Sequence, residues 1–284
     1  MEEIDLENWV EGSSGDYDQR AVIHILLHAI GSSENLRTSM IMKGGNLLGI
    51  RYASKRYTKD IDFSTGMKYR EFDEDSFKRD LSEALIASAG ALSYPYHCWV
   101  QRMRIEPNPE GTYPTLKINI GYANTSVEKE RKWIESGISQ KVLNIDYSFN
   151  EATYNNEIIQ ISDDASIIAY SIEDVMAEKI RSVLQQPVRK RNREQDIYDI
   201  NYLLGNIAFD DTEKFKILDS LLNKSAGRGI EKYLHKDGLD DEEVKQRSKT
   251  NYHLLSQTVN DPPDFEESYN NVNMFFKSLP WDLL

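Results

Sequence analysis

Apolar and polar residues follow two rhythms along this chain, and the rhythm changes near residue 171. Before that point, period-two runs are interleaved with helical stretches. Val22, Ile25, Leu26, Ala29 and Ile30 supply the apolar side of a helix over 17–31. A short strand over 39–42 runs into Gly44 and Gly45, a short helix over 46–52 follows, and the next strand covers 60–63. Phe77, Leu81, Leu85 and Ile86 have helical spacing within 74–89. Residues 96–105 and 115–122 are expected to be extended, separated by the turn-rich EPNPEGTYP. An irregular section around Trp133 leads to VLNIDYSF, where Leu143, Ile145, Tyr147 and Phe149 alternate with Asn144, Asp146 and Ser148. Such a strand buries one face and projects Asp146 from the other.

Beyond residue 171 the spacing is mainly helical. Ser171 and Asp174 have the separation of an N-terminal capping pair, and Ile172, Met176, Ile180, Val183 and Leu184 form a buried stripe. Further helices are expected over 196–204 and 211–222, with a late one after Pro263. The GRG at 227–229 and a charged segment near 240 interrupt the pattern, and the terminal LPWDLL folds back or frays. The expected fold is a mixed α/β domain over 1–165, including the N-terminal helix, followed by a mainly helical domain over 166–284.

Composition narrows the classes. With 39% hydrophobic and 29% charged residues, the 284-residue chain has the balance of an ordinary folded protein. Its single cysteine, Cys98, excludes an intrachain disulfide and any cysteine-rich metal cluster. The opening MEEIDLENWV lacks a basic segment followed by an apolar run, and no apolar stretch approaches membrane-spanning length. A cytoplasmic location is therefore expected. A formal charge of −13 argues against a nucleic-acid-coating surface. The charge is uneven, however. Arg37, Lys43, Arg51, Lys55, Arg56 and Lys59 gather in one stretch, and Arg189, Lys190, Arg191 and Arg193 in another, which suits focused polyanion sites on an acidic body.

The candidate chemistry lies in KGGNLLGIRYASKRYTKDIDF, residues 43–63. Strand alternation puts Asp60 and Asp62 on one side, with Ile61 and Phe63 on the other. Two carboxylates so placed repel each other, and a divalent cation resolves the repulsion. Gly44 and Gly45 remove side-chain bulk where phosphate can approach backbone amides, and Asn46 either bonds phosphate or caps the helix that follows. GGNLLG has neither Rossmann nor P-loop spacing. Arg56 and Thr58 are placed to position Asp60 or bind phosphate, although Arg56 serves equally well as an ion-pair donor. Asp146 is the candidate third carboxylate if its strand adjoins theirs; Asn119, in KINI, is the competing strand position. Lys179 sits beside the apolar stripe of its helix, about 200° around from Arg181. Asp196 and Asp199 share a face and can anchor Lys179 or an arginine. This set points to metal-dependent phosphoryl or nucleotidyl transfer.

With these segments in order (GGNLLGIRY, RYTKDIDF, VLNIDYSFNE, IEDVMAEKIRSVLQQ and RKRNREQDIYDINYLL), the chain resembles the abortive-infection-type nucleotidyltransferase toxins of type IV toxin–antitoxin systems, which share the DNA polymerase β-like fold. The resemblance spans roughly residues 37–205. It implies that Gly44, Gly45 and Asn46 form the nucleotide-binding turn, that Arg56 and Thr58 precede the catalytic strand, and that Asp60, Asp62 and Asp146 hold Mg²⁺ or Mn²⁺. It further implies a phosphate-facing Lys179, an Asp196 that opens the late helical motif, and a helical domain that completes the nucleotide and acceptor cleft. An NTP substrate, an RNA acceptor such as tRNA and a separately encoded antitoxin are the implied partners. A protein or small-molecule acceptor, or nucleotide binding without turnover, are the alternatives that the sequence leaves open.

Overall fold

A computed structural model of the chain describes residues 2–12, 15–56 and 58–283. The chain divides into two compact units, Met1–Arg51 with Thr58–Ala169, and Tyr52–Tyr57 with Tyr170–Leu284. The first is mixed α/β and the second mainly helical, the architecture expected of the family that the sequence resembles.

Eight strands among the described residues build one sheet. They are β1 (Glu2–Glu3), β2 (Ile41–Lys43), β3 (Asp60–Ser64), β4 (Tyr96–Glu106), β5 (Thr115–Asn124), β6 (Val142–Ser148), β7 (Asn156–Ser162) and β8 (Ala165–Tyr170). Their spatial order is β1-β7-β8-β2-β3-β6-β5-β4. Strand β3 runs antiparallel to β2 and parallel to β6, and β5 runs antiparallel to both β6 and β4. Period-two alternation sends Ile61, Phe63, Leu116, Ile118, Leu143, Ile145 and Tyr147 to the buried face. There Tyr147 and Phe149 meet Phe72, and Tyr147 also stacks on Phe77 at 5.6 Å between ring centroids. Aromatic pairs of this kind add specific geometry to the area they bury.

The helix Tyr17–Ser32 packs on the helix Glu74–Ala91. Its burial is wider than the one-sided stripe expected from sequence, since every residue from Ala21 to Gly31 is buried. His24 and His28 are included because each has a polar neighbour: His24 Nδ1 is 2.9 Å from the Tyr94 hydroxyl, and His28 Nδ1 is 2.8 Å from Ser88 Oγ. Burial, reinforced by the nearby His28, pushes the His24 pKa down to about 4.

In the helical unit, Ile172–Leu184 packs against Asp211–Ser225 and Glu194–Asn206, and the latter packs on Phe265–Lys277. Of the expected stripe, Met176, Ile180, Val183 and Leu184 are buried and Ile172, at the helix start, is half-buried. Ser171 caps its helix by accepting from the Asp174 amide at 3.3 Å, while the Asp174 carboxylate accepts from Ser220 Oγ at 2.6 Å. Asp210 and Glu213 form a reciprocal capping box at the helix Asp211–Ser225. The C-terminal segment folds back, with Trp281 Nε1 donating to the Phe276 carbonyl at 2.8 Å and its ring 4.8 Å from that of Phe276. Among the described residues no helix is long and apolar enough to cross a membrane.

Candidate active site

The face of the sheet opposite its core is polar because the same alternation that buries Ile61 and Phe63 leaves Asp60 exposed and Asp62 half-buried. Pairing extends this face sideways. In the β3–β6 register Asp60 lies opposite Asn144 and Asp62 opposite Asp146. In the β6–β5 register Asn144 lies opposite Asn119 and Asp146 opposite Lys117. Paired positions share a face, so six polar side chains are brought together across three strands. The Asn119 amide donates to Asn144 Oδ1 at 2.7 Å, and the Asn144 amide donates to Asp60 Oδ1 at 3.0 Å. Lys117 Nζ donates to Asp146 Oδ2 at 2.5 Å. A polar cavity of about 260 Å³ opens here, lined by Asp60, Arg104, Lys117, Asn119, Asn144 and Asp146.

Strand β6, and not β5, adjoins β3. Asp146 therefore stands beside Asp62, and Asn119 is one strand further out.

The glycine turn serves this face in a specific way. The helix begins at Gly44 itself and runs to Arg51, earlier than the expected 46–52. Gly44 has φ of +77°, and a Cβ there would lie 2.1 Å from Asp62 Oδ2. Only glycine permits the backbone to turn there and the carboxylate to come so close. Asn46 neither caps the helix nor stands free; its amide donates to the Asp60 carbonyl at 2.7 Å, fastening the start of β3. The Thr58 hydroxyl oxygen is buried without a hydrogen-bond partner among the described residues. Two of the nearby cations have acidic partners within this unit, Lys43 with Glu151 and Arg51 with Glu157.

Four further predicted residues or their partners meet inside the helical unit. Arg56 is forked onto Asp199, with Nε and one terminal nitrogen each 2.8 Å from a carboxylate oxygen. Lys179 Nζ lies 2.7 Å from Asp199 and 3.4 Å from Asp196, and Asp196 also accepts from Arg193 Nε at 2.7 Å. Asp196 and Asp199 are 1% and 0% exposed. Burial by itself raises the Asp199 carboxyl, but the charges of Lys179 and Arg56 and their hydrogen bonds hold it below the usual carboxylate range. Burial likewise opposes the Arg56 charge, yet Asp199 raises its pKa above the ordinary value. Arg56 thus forms a bidentate ion pair with Asp199. Tyr202, on the same helix, donates to the carbonyls of Tyr52 and Ala53 at 3.0 and 2.9 Å.

The donor set fits a hard divalent cation at Asp60 and Asp62, two carboxylates on one strand face with the unsatisfied Thr58 hydroxyl two residues upstream. Asp146 has a partner within the sheet. Its carboxylate is engaged by Lys117, and among the described residues no three His, Cys, Asp or Glu side chains gather as a metal-binding group.

Sequence reasoning passed over Lys117 and Asn144. The signal was present. In TLKINI and VLNIDYS the polar members occupy alternate positions, and pairing those two strands aligns Lys117 with Asp146 and Asn119 with Asn144.

A model of the family described as the nucleotidyl transferase AbiEii toxin, of type IV toxin–antitoxin systems, matches residues 25–271. Among solved structures, JHP933 from Helicobacter pylori superposes over 95% of this chain and 94% of its own, with 14% identity and a TM-score of 0.54. A provisionally assigned nucleotidyltransferase from H. pylori superposes over 95% of this chain and 97% of its own, with 13% identity and a TM-score of 0.53. At these identities the likeness is one of fold. No curated protein sequence matches the chain significantly.

Proposed function

The chain belongs to the AbiEii family of nucleotidyl transferase toxins of type IV toxin–antitoxin systems, and from that premise we propose that it transfers a nucleoside monophosphate from an NTP to an RNA acceptor, with release of pyrophosphate and dependence on Mg²⁺. The observation that carries this reading is the pair Asp60 and Asp62 on the open face of β3, with Gly44 shaped to admit the Asp62 carboxylate. These two aspartates would hold the cation. Bound there, Mg²⁺ supplies charge that offsets the negative charge developing on the α-phosphate and the leaving pyrophosphate.

The chain's own groups do the rest. The first amides of the helix Gly44–Arg51, at Gly44 and Gly45, receive phosphate oxygens, as helix N-termini do. Asn46 fixes the entry to β3, and Asn144 aims one oxygen of Asp60 so that the other faces the ligand. Thr58 offers its unsatisfied hydroxyl to a phosphate oxygen. Lys179 is assigned to the triphosphate, with Asp196 and Asp199 setting its position and Arg56 balancing Asp199.

An RNA acceptor is favoured by the loop that follows the helix Gln186–Arg189. Arg189, Lys190 and Arg191 are exposed, and their side chains have no ion-pair partner among the described residues. Although Arg191 is exposed at the surface, desolvation of its guanidinium by the surrounding chain, then the neighbouring charges of Arg193, Arg181 and Arg189, lower its pKa to about 10. The loop is pinned by buried Gln186, whose Oε1 accepts from the Arg193 amide at 2.7 Å. Unneutralised positive charge held in place on an acidic chain suits a phosphodiester backbone. We assign the reaction to the cytoplasm, with tRNA as the first RNA to try and an antitoxin protein as the cellular partner.

The test incubates the full chain with each of the four α-labelled NTPs and total RNA. Label is expected in RNA, and D60A/D62A is expected to reduce it by on the order of 10³-fold or more. Undiminished transfer by that variant, or label on protein alone, overturns the proposal.

A further inference from the structure

The third carboxylate on the open face already has a cation, supplied by the chain. Lys117 projects from β5 at the position paired with Asp146, and its ammonium lies 2.5 Å from Asp146 Oδ2. The two side chains are 33% and 26% exposed, so the pair is partly withdrawn from water and stronger than a surface contact. Its geometry is not easily abandoned. Strand β5 is flanked by β4 and β6, and turning Lys117 to the other face requires a register slip along both neighbours. Arg104, which lines the same cavity, is paired with Glu106 at 2.5 Å, and Lys43, registered opposite Asp62, is paired with Glu151.

We propose that Lys117 is a built-in cation that withholds Asp146 from metal coordination, so that this face takes a single divalent ion at Asp60 and Asp62. The inference rests on the proposed metal role of that pair and adds the stoichiometry. Three carboxylates against one ammonium leave two negative charges on the face, which one divalent ion balances. Without the ammonium, Asp146, registered beside Asp62, becomes available as a ligand and the face gains capacity for cation. Lys117 is thus a positioning residue, acting through Asp146. The internal ammonium fills a role that two-metal sites give to a second ion.

The experiment titrates the full-length protein with Mn²⁺ alone, following free Mn²⁺ by electron paramagnetic resonance, with melting curves as the folding control. The wild type is expected to bind a single Mn²⁺, and D146N, which leaves the Lys117 charge uncompensated on a face with one negative charge fewer, to bind it a few-fold more weakly but far better than D62N. K117M is expected to bind a second Mn²⁺, or the first about tenfold more tightly, and K117M/D146N to lose that gain. K117R, which keeps the charge, is expected to behave as wild type, and K117Q replaces K117M if the latter does not fold. Wild-type stoichiometry and affinity in the charge-removing variant overturn the inference, as does a D146N variant that binds as weakly as D62N. Loss of binding in D62N with no change in K117M removes this inference and leaves the proposed function standing. Unaltered binding in D62N overturns both.

Discussion

Two groups of aspartates and lysines in this chain differ chiefly in what surrounds them. On the β3–β6–β5 face, Asp60, Asp62, Asp146 and Lys117 stand on an open polar surface beside a cavity. In the helical unit, Asp196 and Asp199 are sealed beneath the largely buried Lys179 and the half-buried Arg56, with Asp199 bonded to both cations. A carboxylate on an open face remains reachable by a ligand and adds little to stability. A sealed one must be neutralised within the fold, and removing its partner leaves an uncompensated charge. Sequence alone presents both groups as acids with nearby cations. Burial separates a surface fit for chemistry from a network that holds backbone and lysine in place.

The largest stability effect is expected where the sealed group is broken. D199A leaves Lys179 and Arg56 without their shared carboxylate and is expected to cost about 3–5 kcal/mol, read from urea unfolding. A loss below about 1 kcal/mol means that water reaches the group, and the contrast with the open face fails. G44A probes the boundary between the helix turn and the open face. Alanine at φ of +77° is expected to cost about 1–2 kcal/mol. Because its Cβ meets Asp62, nucleotidyl transfer is expected to fall far more than stability does. Equal losses in both would make Gly44 a backbone requirement alone.

A smaller effect is expected from His24, buried in the helix Tyr17–Ser32. Its folded pKa of about 4 lies below the unfolded value of 6.5, so in that window the unfolded chain binds the extra proton. Stability contributed by neutral His24 is complete above 6.5 and is lost as pH falls toward 4. The expected loss at pH 5 is about 1–2 kcal/mol. It is read as a lowered melting temperature that H24Q makes less pH-dependent. A pH response in H24Q identical to wild type contradicts the assignment.

Much of the fold was legible because burial is one-sided. DIDF and VLNIDYSF alternate, so their apolar faces and their protruding acids follow from spacing, and the stripe from Ile172 to Leu184 marks a packed helix. Other elements were hidden for physical reasons. The two-residue strand β1 is too short to show a period. Strand β7 alternates only at Ile159 and Ile161, and β8 is buried at all but one position, so neither shows a sustained period of two. The segment around Trp133 forms a helix, Glu128–Ser136, whose burial is sparse and whose end is set by Gly137 at φ of +70°. At the candidate site, strand alternation gave the facing of Asp60 and Asp62. The partners Lys117 and Asn144 depend on sheet order and register, which join residues that one strand's pattern does not connect.

The most direct measurement compares wild type and D60N/D62N in the same preparation, following transfer of α-labelled nucleotide to RNA together with the melting curve. The expected result is a melting temperature close to wild type with transfer lost, since these acids stand on the open face and are the proposed metal ligands. Labelled RNA from a folded D60N/D62N protein at the wild-type rate contradicts the account.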